Sequence, residues 1–181
     1  MSELARFLDS AWHVLGRGTA DRRSAANRPT LSTTSVDGPR ARTVVLRAID
    51  RQAGTIDIHS HALAEKVAEL RLDSRAAVHV WDPKTDLQIR AHARATLHID
   101  DMVATSAFRA LPPHGQAIYA IRPDPGTALP SPEMIDFDGE PRFALIRLCI
   151  DEIELLHLDR PQHRRARFRR SDDWAGTWHT P

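Results

Sequence analysis

Residues 87–99 alternate without interruption. Leu87, Ile89, Ala91, Ala93, Ala95, Leu97 and Ile99 are apolar, and Gln88, Arg90, His92, Arg94, Thr96 and His98 between them are polar. A period of two sustained over thirteen residues fits an extended strand with one buried face and one polar face. A strand of that length needs partners along it, so the chain must build a sheet around this segment. Candidate partners are plentiful. Residues 30–36 and 41–49 are β-branched and separated by the turn pair Asp37-Gly38, and the segment from Asp50 to Gly54 turns again into 55–60. These three segments are expected to form an antiparallel meander. Residues 76–81 read as a strand closed by Asp82-Pro83, 143–158 as a long apolar strand, and 164–170 with 174–178 as a closing hairpin.

Helices punctuate this pattern. Leu4, Phe7, Leu8, Ala11, Trp12 and Leu15 fall at spacings of three and four, an amphipathic helix expected to stop at Gly16 (residues 1–16), with a polar loop over 17–27. Short helices are expected over 62–72, from an Asp100-Asp101 cap to Phe108, and around 116–121. Residues 122–141 carry five prolines and read as a long surface loop, a kind of segment often tied to function. The fold class is mainly β (α+β), an antiparallel barrel with peripheral helices.

Length and charge narrow the function classes. At 181 residues the chain fits one domain, 1–181, able to bury roughly 70% of its unfolded surface without disulfides. Cys149 is the only cysteine, is expected to be a buried small hydrophobe, and gives no sign of an oxidising compartment. The first residues show no basic stretch followed by an apolar core, and no apolar run approaches the ~20 residues needed to span a bilayer. A cytoplasmic protein with no membrane partner is expected. The net charge of +1 does not argue for nucleic acid. Six arginines crowd 160–170, yet Phe168 is the only aromatic among them and Asp172 and Asp173 follow at once, so no nucleic-acid partner is expected.

The chemistry-bearing residues cluster early. Arg42 and Arg47 flank Thr43-Val44-Val45-Leu46, and Ser60 and Lys66 follow at a strand-to-helix junction. Lys66 is one of only two lysines in a chain whose cations are otherwise arginine. Arginine offers a phosphate planar bidentate donors and lysine offers a point charge. A helix start adds free N–H groups that favour an anion. His59-Ser60-His61 puts two histidines on one strand face, but no third ligand stands at a convincing spacing, so no metal is expected. His59 fits better beside a cofactor. No nucleophilic triad, glycine-rich phosphate loop or carboxylate pair can be assigned, and the catalytic residues stay unknown.

In this order the segments resemble the pyridoxamine 5′-phosphate oxidase-like flavoproteins, the FMN-binding split-barrel group, from about residue 28 onward. The likeness rests on Arg42-Thr43-Val44-Val45-Leu46-Arg47, on Ser60 with Lys66-Val67-Ala68-Glu69-Leu70, on Gln88, and on Arg167-Phe168. It implies a split β-barrel binding FMN at a homodimer interface. Arg42, Lys66 and Ser60 would hold the FMN phosphate, and Val44 and Val45 would lie along the isoalloxazine. Gln88 would reach in from the partner subunit and Arg167 from the C-terminal segment, with Thr43, Arg47 and His59 completing the expected cofactor set. The implied activity is an FMN-dependent oxidoreductase acting on an unidentified small molecule. A non-catalytic flavin-binding or flavin-sensing module is the alternative, as is a split barrel binding haem or a deazaflavin. Three departures matter. Glu65 stands where the family commonly has arginine. The positions that grip a substrate phosphate fall near Ala107, Leu111 and Gly115, and the expected Arg-x-His pair falls, reversed, at His163 and Arg165. Vitamin B6 oxidation is therefore disfavoured.

Overall fold

The computed structural model describes residues 1–158 and 162–181; the start of the basic run at Arg160 lies outside the described residues. In chain order the elements are α1 (Glu3–Ala20), β1 (Thr30–Ser35), β2 (Gly38–Thr43), β3 (Leu46–Asp50), β4 (Thr55–His61), α2 (Glu65–Leu72), β5 (Arg75–Asp82), β6 (Leu87–His98), α3 (Met102–Arg109), α4 (Pro113–Ala117), β7 (Phe143–His157), β8 (Arg164–Arg169) and β9 (Thr177–His179). The alternating segment is β6, flanked by β5 on one side and β7 on the other. Its apolar face joins the core: Leu87, Ile89, Ala91 and Ala93 are all buried. Asp101 caps α3 as expected, its carboxylate accepting from the Ala104 N–H at 2.8 Å.

The expected meander does not form. β1 pairs with β2 and β3 pairs with β4, but β2 and β3 terminate opposite ends of the hydrogen-bonded path β2-β1-β5-β6-β7-β4-β3. The segment expected as one strand over 41–49 is broken at Val44-Val45, where the Val44 N–H donates to the Pro29 carbonyl at 3.0 Å and its side chain enters the core. Two residues bridge at most roughly 11 Å between Thr43 and Leu46. The two ends of the sheet must therefore lie side by side, closed by the chain itself and not by a ladder. That is the split barrel. All the strand pairings are antiparallel. β7 divides its second edge, pairing with β4 through residues 143–149 and with β8 through 152–157.

Helix α1 runs through Gly16 and Gly18 to Ala20, so neither glycine is a stop. Gly18 instead permits a close approach. A Cβ placed there would lie 2.6 Å from the Ala26 carbonyl carbon, and the Asn27 amide closes the contact by donating to the Gly18 carbonyl at 2.7 Å. The expected loop over 17–27 is accordingly part helix and part 3-10 turn, Ala25–Asn27. Gly18→Ala is expected to cost about 1–3 kcal/mol as an overpacked site, whereas Gly16→Ala, with nothing within 4 Å, should be neutral or stabilising. Thermal unfolding of the two variants side by side checks this.

Other expectations shift by smaller amounts. α2 begins at Glu65 and not at 62, α4 precedes the expected 116–121, and Cys149 is half-buried because it projects from the polar face of β7. The C-terminal tryptophans hold α1 as well as their own hairpin: Trp178 stacks on Phe7 at 5.6 Å, and Trp174 meets Trp12 edge-on at 6.4 Å. A second, smaller apolar cluster of Ala104, Tyr119, Phe143 and Leu145 sits under α3. Among the described residues no helix is long and apolar enough to cross a membrane.

Candidate functional site

A cavity of about 280 Å³ opens where α2 begins, lined by Arg42, Ala64, Glu65, Lys66, Pro125 and Gly126. Sequence and topology combine to build it. β2 delivers Arg42 at one end of the sheet path, while the turn after β4 starts α2 with Glu65 and Lys66. The proline-rich segment supplies the far wall through Pro125 and Gly126. Its ends are tied down by paired bonds between Arg122 and Asp136 and by the Gly139 N–H donating to the Ala120 carbonyl at 3.0 Å.

Arg42 is already engaged. Its guanidinium donates to the Glu69 carboxylate at 2.6 Å and closely to the Thr33 hydroxyl, which itself donates to Glu69 at 2.5 Å. Glu69 is buried, so this charge needs that partner. Lys66 is placed differently. Among the described residues its ammonium bonds only the Ser60 hydroxyl, at 3.3 Å, and Ser60 is buried. Burial first and the Arg42 charge second hold the Lys66 pKa below its ordinary value, with Glu69 and Glu65 opposing. A desolvated ammonium beside a second cation is stabilised by a bound anion, so these residues fit a phosphate monoester.

A second group lies along the break in the barrel. Val44 is buried and its N–H is used, so of the valine pair it is Val45, about a third exposed, that faces outward. Thr43, paired with Thr30, and Arg47 are exposed. His59 packs edge-on against Phe143 at 4.9 Å, with its Nδ1 buried and without a hydrogen-bond partner. Burial, reinforced by the Arg47 charge, brings the His59 pKa down to about 4, so the ring is neutral at physiological pH. Arg47 also opposes the upward shift that burial imposes on the Tyr119 hydroxyl, which places Arg47, His59 and Tyr119 in one neighbourhood. The neighbouring wall of Phe108 and Phe143 lines a smaller cavity of about 150 Å³ with Asp100, Ala104, Thr105, Arg109 and Pro141. Ala107 and Leu111 pack against the same cluster.

Gln88 and Arg167 are not brought to this site. Ser60 pairs with Ala144 and Gln88 with Leu156, positions twelve residues apart on β7, which is roughly 40 Å along a strand rising about 3.3 Å per residue. Gln88 instead contacts His79 at 3.4 Å. Arg167 bonds Glu154 at 3.1 Å in a cluster that also holds Arg90 and Arg165. One chain thus carries two separate groups of the expected residues, one at each end of its longest strand.

Sequence reading missed Glu69, Thr33, Pro125, Gly126 and Glu154. Glu69 offered a faint signal, standing between Val67 and Leu70 on the face α2 buries. Nothing local pointed to Glu154, whose burial depends on arginines from β6 and β8.

Comparison with known proteins bears on the family and the fold. The family described as pyridoxamine 5′-phosphate oxidase, FMN-binding domain, matches residues 9–99, half of the chain. No curated protein sequence matches the chain. Among solved structures, a pyridoxamine 5′-phosphate oxidase-related, FMN-binding protein from Nostoc punctiforme superposes with a TM-score of 0.78 at 20% identity, over 96% of each chain. PhzG from Burkholderia lata, solved with tetrahydrophenazine-1-carboxylic acid, gives 0.67 at 24% identity, covering 98% of this chain and 90% of that one. A protein related to general stress protein 26 from Clostridium acetobutylicum gives 0.60 at 11%, covering 92% and 96%. At these identities the likeness is one of fold.

Proposed function

The chain belongs to the pyridoxamine 5′-phosphate oxidase FMN-binding domain family, and on that premise we propose that residues 1–181 form one flavin-binding domain, an FMN-dependent oxidoreductase that works as a homodimer on a small organic molecule. The observation that carries this reading is Lys66, half-buried beside Arg42 in the cavity at the start of α2 and, among the described residues, hydrogen-bonded to Ser60 and to no carboxylate. Bound there, FMN would supply hydride-transfer chemistry. Lys66, Arg42 and Ser60 would hold its phosphate. Val45 would face the ring edge, and His59, neutral at working pH, would offer its free Nδ1 as an acceptor. Thr43 and Arg47 border the same opening.

Gln88 and Arg167 reach a flavin only in a second copy, since they stand roughly 40 Å and roughly 33 Å along β7 from Ser60. The composite site therefore favours the dimer. On the substrate side, Ala107, Leu111 and Gly115 present no side chain able to grip a phosphate, and the adjoining 150 Å³ cavity is lined by Phe108 and Phe143 together with Asp100 and Arg109. The two phenylalanines favour a ring compound, and Arg109 would meet an anionic group carried on it. PhzG, caught with a tetrahydrophenazine carboxylic acid, is a relative in fold that binds such a ring. The lone, half-buried Cys149 suits the cytoplasm. A non-catalytic flavin module would share all the binding residues. Reduction of bound FMN by a nicotinamide cofactor, followed by reoxidation, separates the two.

Titration with FMN, followed by quenching of flavin fluorescence, tests the reading, with one flavin expected per chain and a dimer by sedimentation. A protein that stays colourless in excess FMN overturns it. The shared site has its own check. Lys66→Ala and Gln88→Ala each weaken both sites of their homodimers, but a heterodimer of the two carries one doubly altered site and one intact site. Mixing and exchanging the two proteins should restore native-affinity binding in the heterodimer.

A further inference from the structure

Three charged side chains line the cavity where α2 begins, Arg42, Lys66 and Glu65, and a fourth, the buried Glu69, pairs with Arg42 behind it. Their formal charges cancel. Arg42 donates to the buried Glu69 at 2.6 Å and to Thr33, so its charge is already offset by Glu69 while its remaining N–H groups line the cavity. Glu65 stands first in α2 and lines the cavity opposite Gly126, so close that a Cβ built on that glycine would lie 3.6 Å from its Oε1. Gly126 holds a positive φ of 90°, and the wall it forms brings the proline-rich segment against the carboxylate. A carboxylate at a helix start is stabilised by the unpaired N–H groups there. Glu65 thus occupies the electrostatic niche that a ligand phosphate would otherwise use.

We propose that Glu65 is a specificity-determining residue that discounts the flavin phosphate, so that the site accepts riboflavin as well as FMN and holds FMN as an exchangeable ligand. This rests on the flavin-binding reading above and adds to it the ligand class and the residue that sets it. Among the described residues lining the cavity, Lys66 is the cation whose charge no carboxylate hydrogen bond offsets, and one charge-assisted contact is worth roughly ten- to hundredfold in affinity. Sites with several uncommitted cations gain much more. A flavin held by one such contact, in a cavity rimmed by a like charge, dissociates on dilution.

The test measures dissociation constants for FMN and for riboflavin, by fluorescence quenching, with the native chain, Glu65→Gln and Glu65→Arg. The native preference for FMN is expected within roughly ten- to hundredfold. Glu65→Gln should tighten FMN about twofold to fivefold and Glu65→Arg about tenfold, while riboflavin changes by less than about twofold. Gel filtration gives an independent readout: FMN is stripped from the native chain and retained by Glu65→Arg. Glu65→Gln keeps the shape of the side chain, so it reports even where the charge-reversed variant folds poorly. Binding of both flavins with an FMN preference unmoved by Glu65→Gln overturns the proposal and leaves the flavin-binding reading standing. Binding of neither flavin to the native chain overturns both.

Discussion

Glu154→Ala is expected to destabilise the protein by about 3 kcal/mol. The Glu154 carboxylate is 3% exposed and bonded by three guanidiniums, Arg90 at very short range, Arg165 at 3.0 Å and Arg167 at 3.1 Å. These come from β6 and β8, so the carboxylate on β7 ties three strands together on one face. Truncation leaves three like charges facing one another, of which Arg167 alone keeps a counter-ion, Glu152 at 3.3 Å, among the described residues. The figure sits at the low end for a broken buried pair because the arginines stay roughly a third exposed and water screens them. Burial alone would raise the Glu154 pKa, but the hydrogen bonds from Arg165, Arg90 and Arg167 outweigh it and carry it from 4.5 to about 2. A carboxylate whose folded pKa lies below its unfolded value contributes stability in full above the unfolded value and loses it as pH falls through the folded one. The gap between native and Glu154→Ala proteins in urea unfolding should therefore be widest near neutrality and close between about pH 4.5 and pH 2. A gap that persists at pH 2 would assign the loss to packing and not to charge.

Lys66→Ala is expected to weaken FMN binding about tenfold to hundredfold, the worth of one charge-assisted contact. Stability should not fall with it. The ammonium is held in a partly desolvated place beside Arg42, so its removal relieves repulsion, and the melting temperature of the ligand-free protein is expected to stay level or rise. Arg42→Ala makes the contrast, because it strands the buried Glu69 and should damage folding and binding together. Flavin titration beside ligand-free thermal melts resolves the pair. Equal stability losses in both variants would show that Lys66 is a structural cation.

Features with a local cause were legible in the sequence. β6 declared itself through its alternation, α3 through the Asp101 cap, and Ser60 and Lys66 through their place at a strand-to-helix junction. What stayed hidden depends on distant contacts. Val44 and Val45 have the composition of a strand interior, and only the Pro29 carbonyl and the sheet order make them a crossing. Gly18 reads as a helix stop until Ala26 arrives against it. Gln88 and Arg167 join the expected cofactor set through the family resemblance, Gln88 from the partner subunit, and only the register along β7 shows how far from Ser60 the two stand within one chain. Glu69 and Glu154 look like surface charges in sequence, and their arginine partners lie on other strands.

The crossing at residues 44 and 45 has a wider consequence. Its geometry depends on the reach of the main chain, since a two-residue link is short enough to hold the margins of the barrel together whatever apolar side chains it carries. A scaffold fastened in this way tolerates extensive drift in sequence without coming apart.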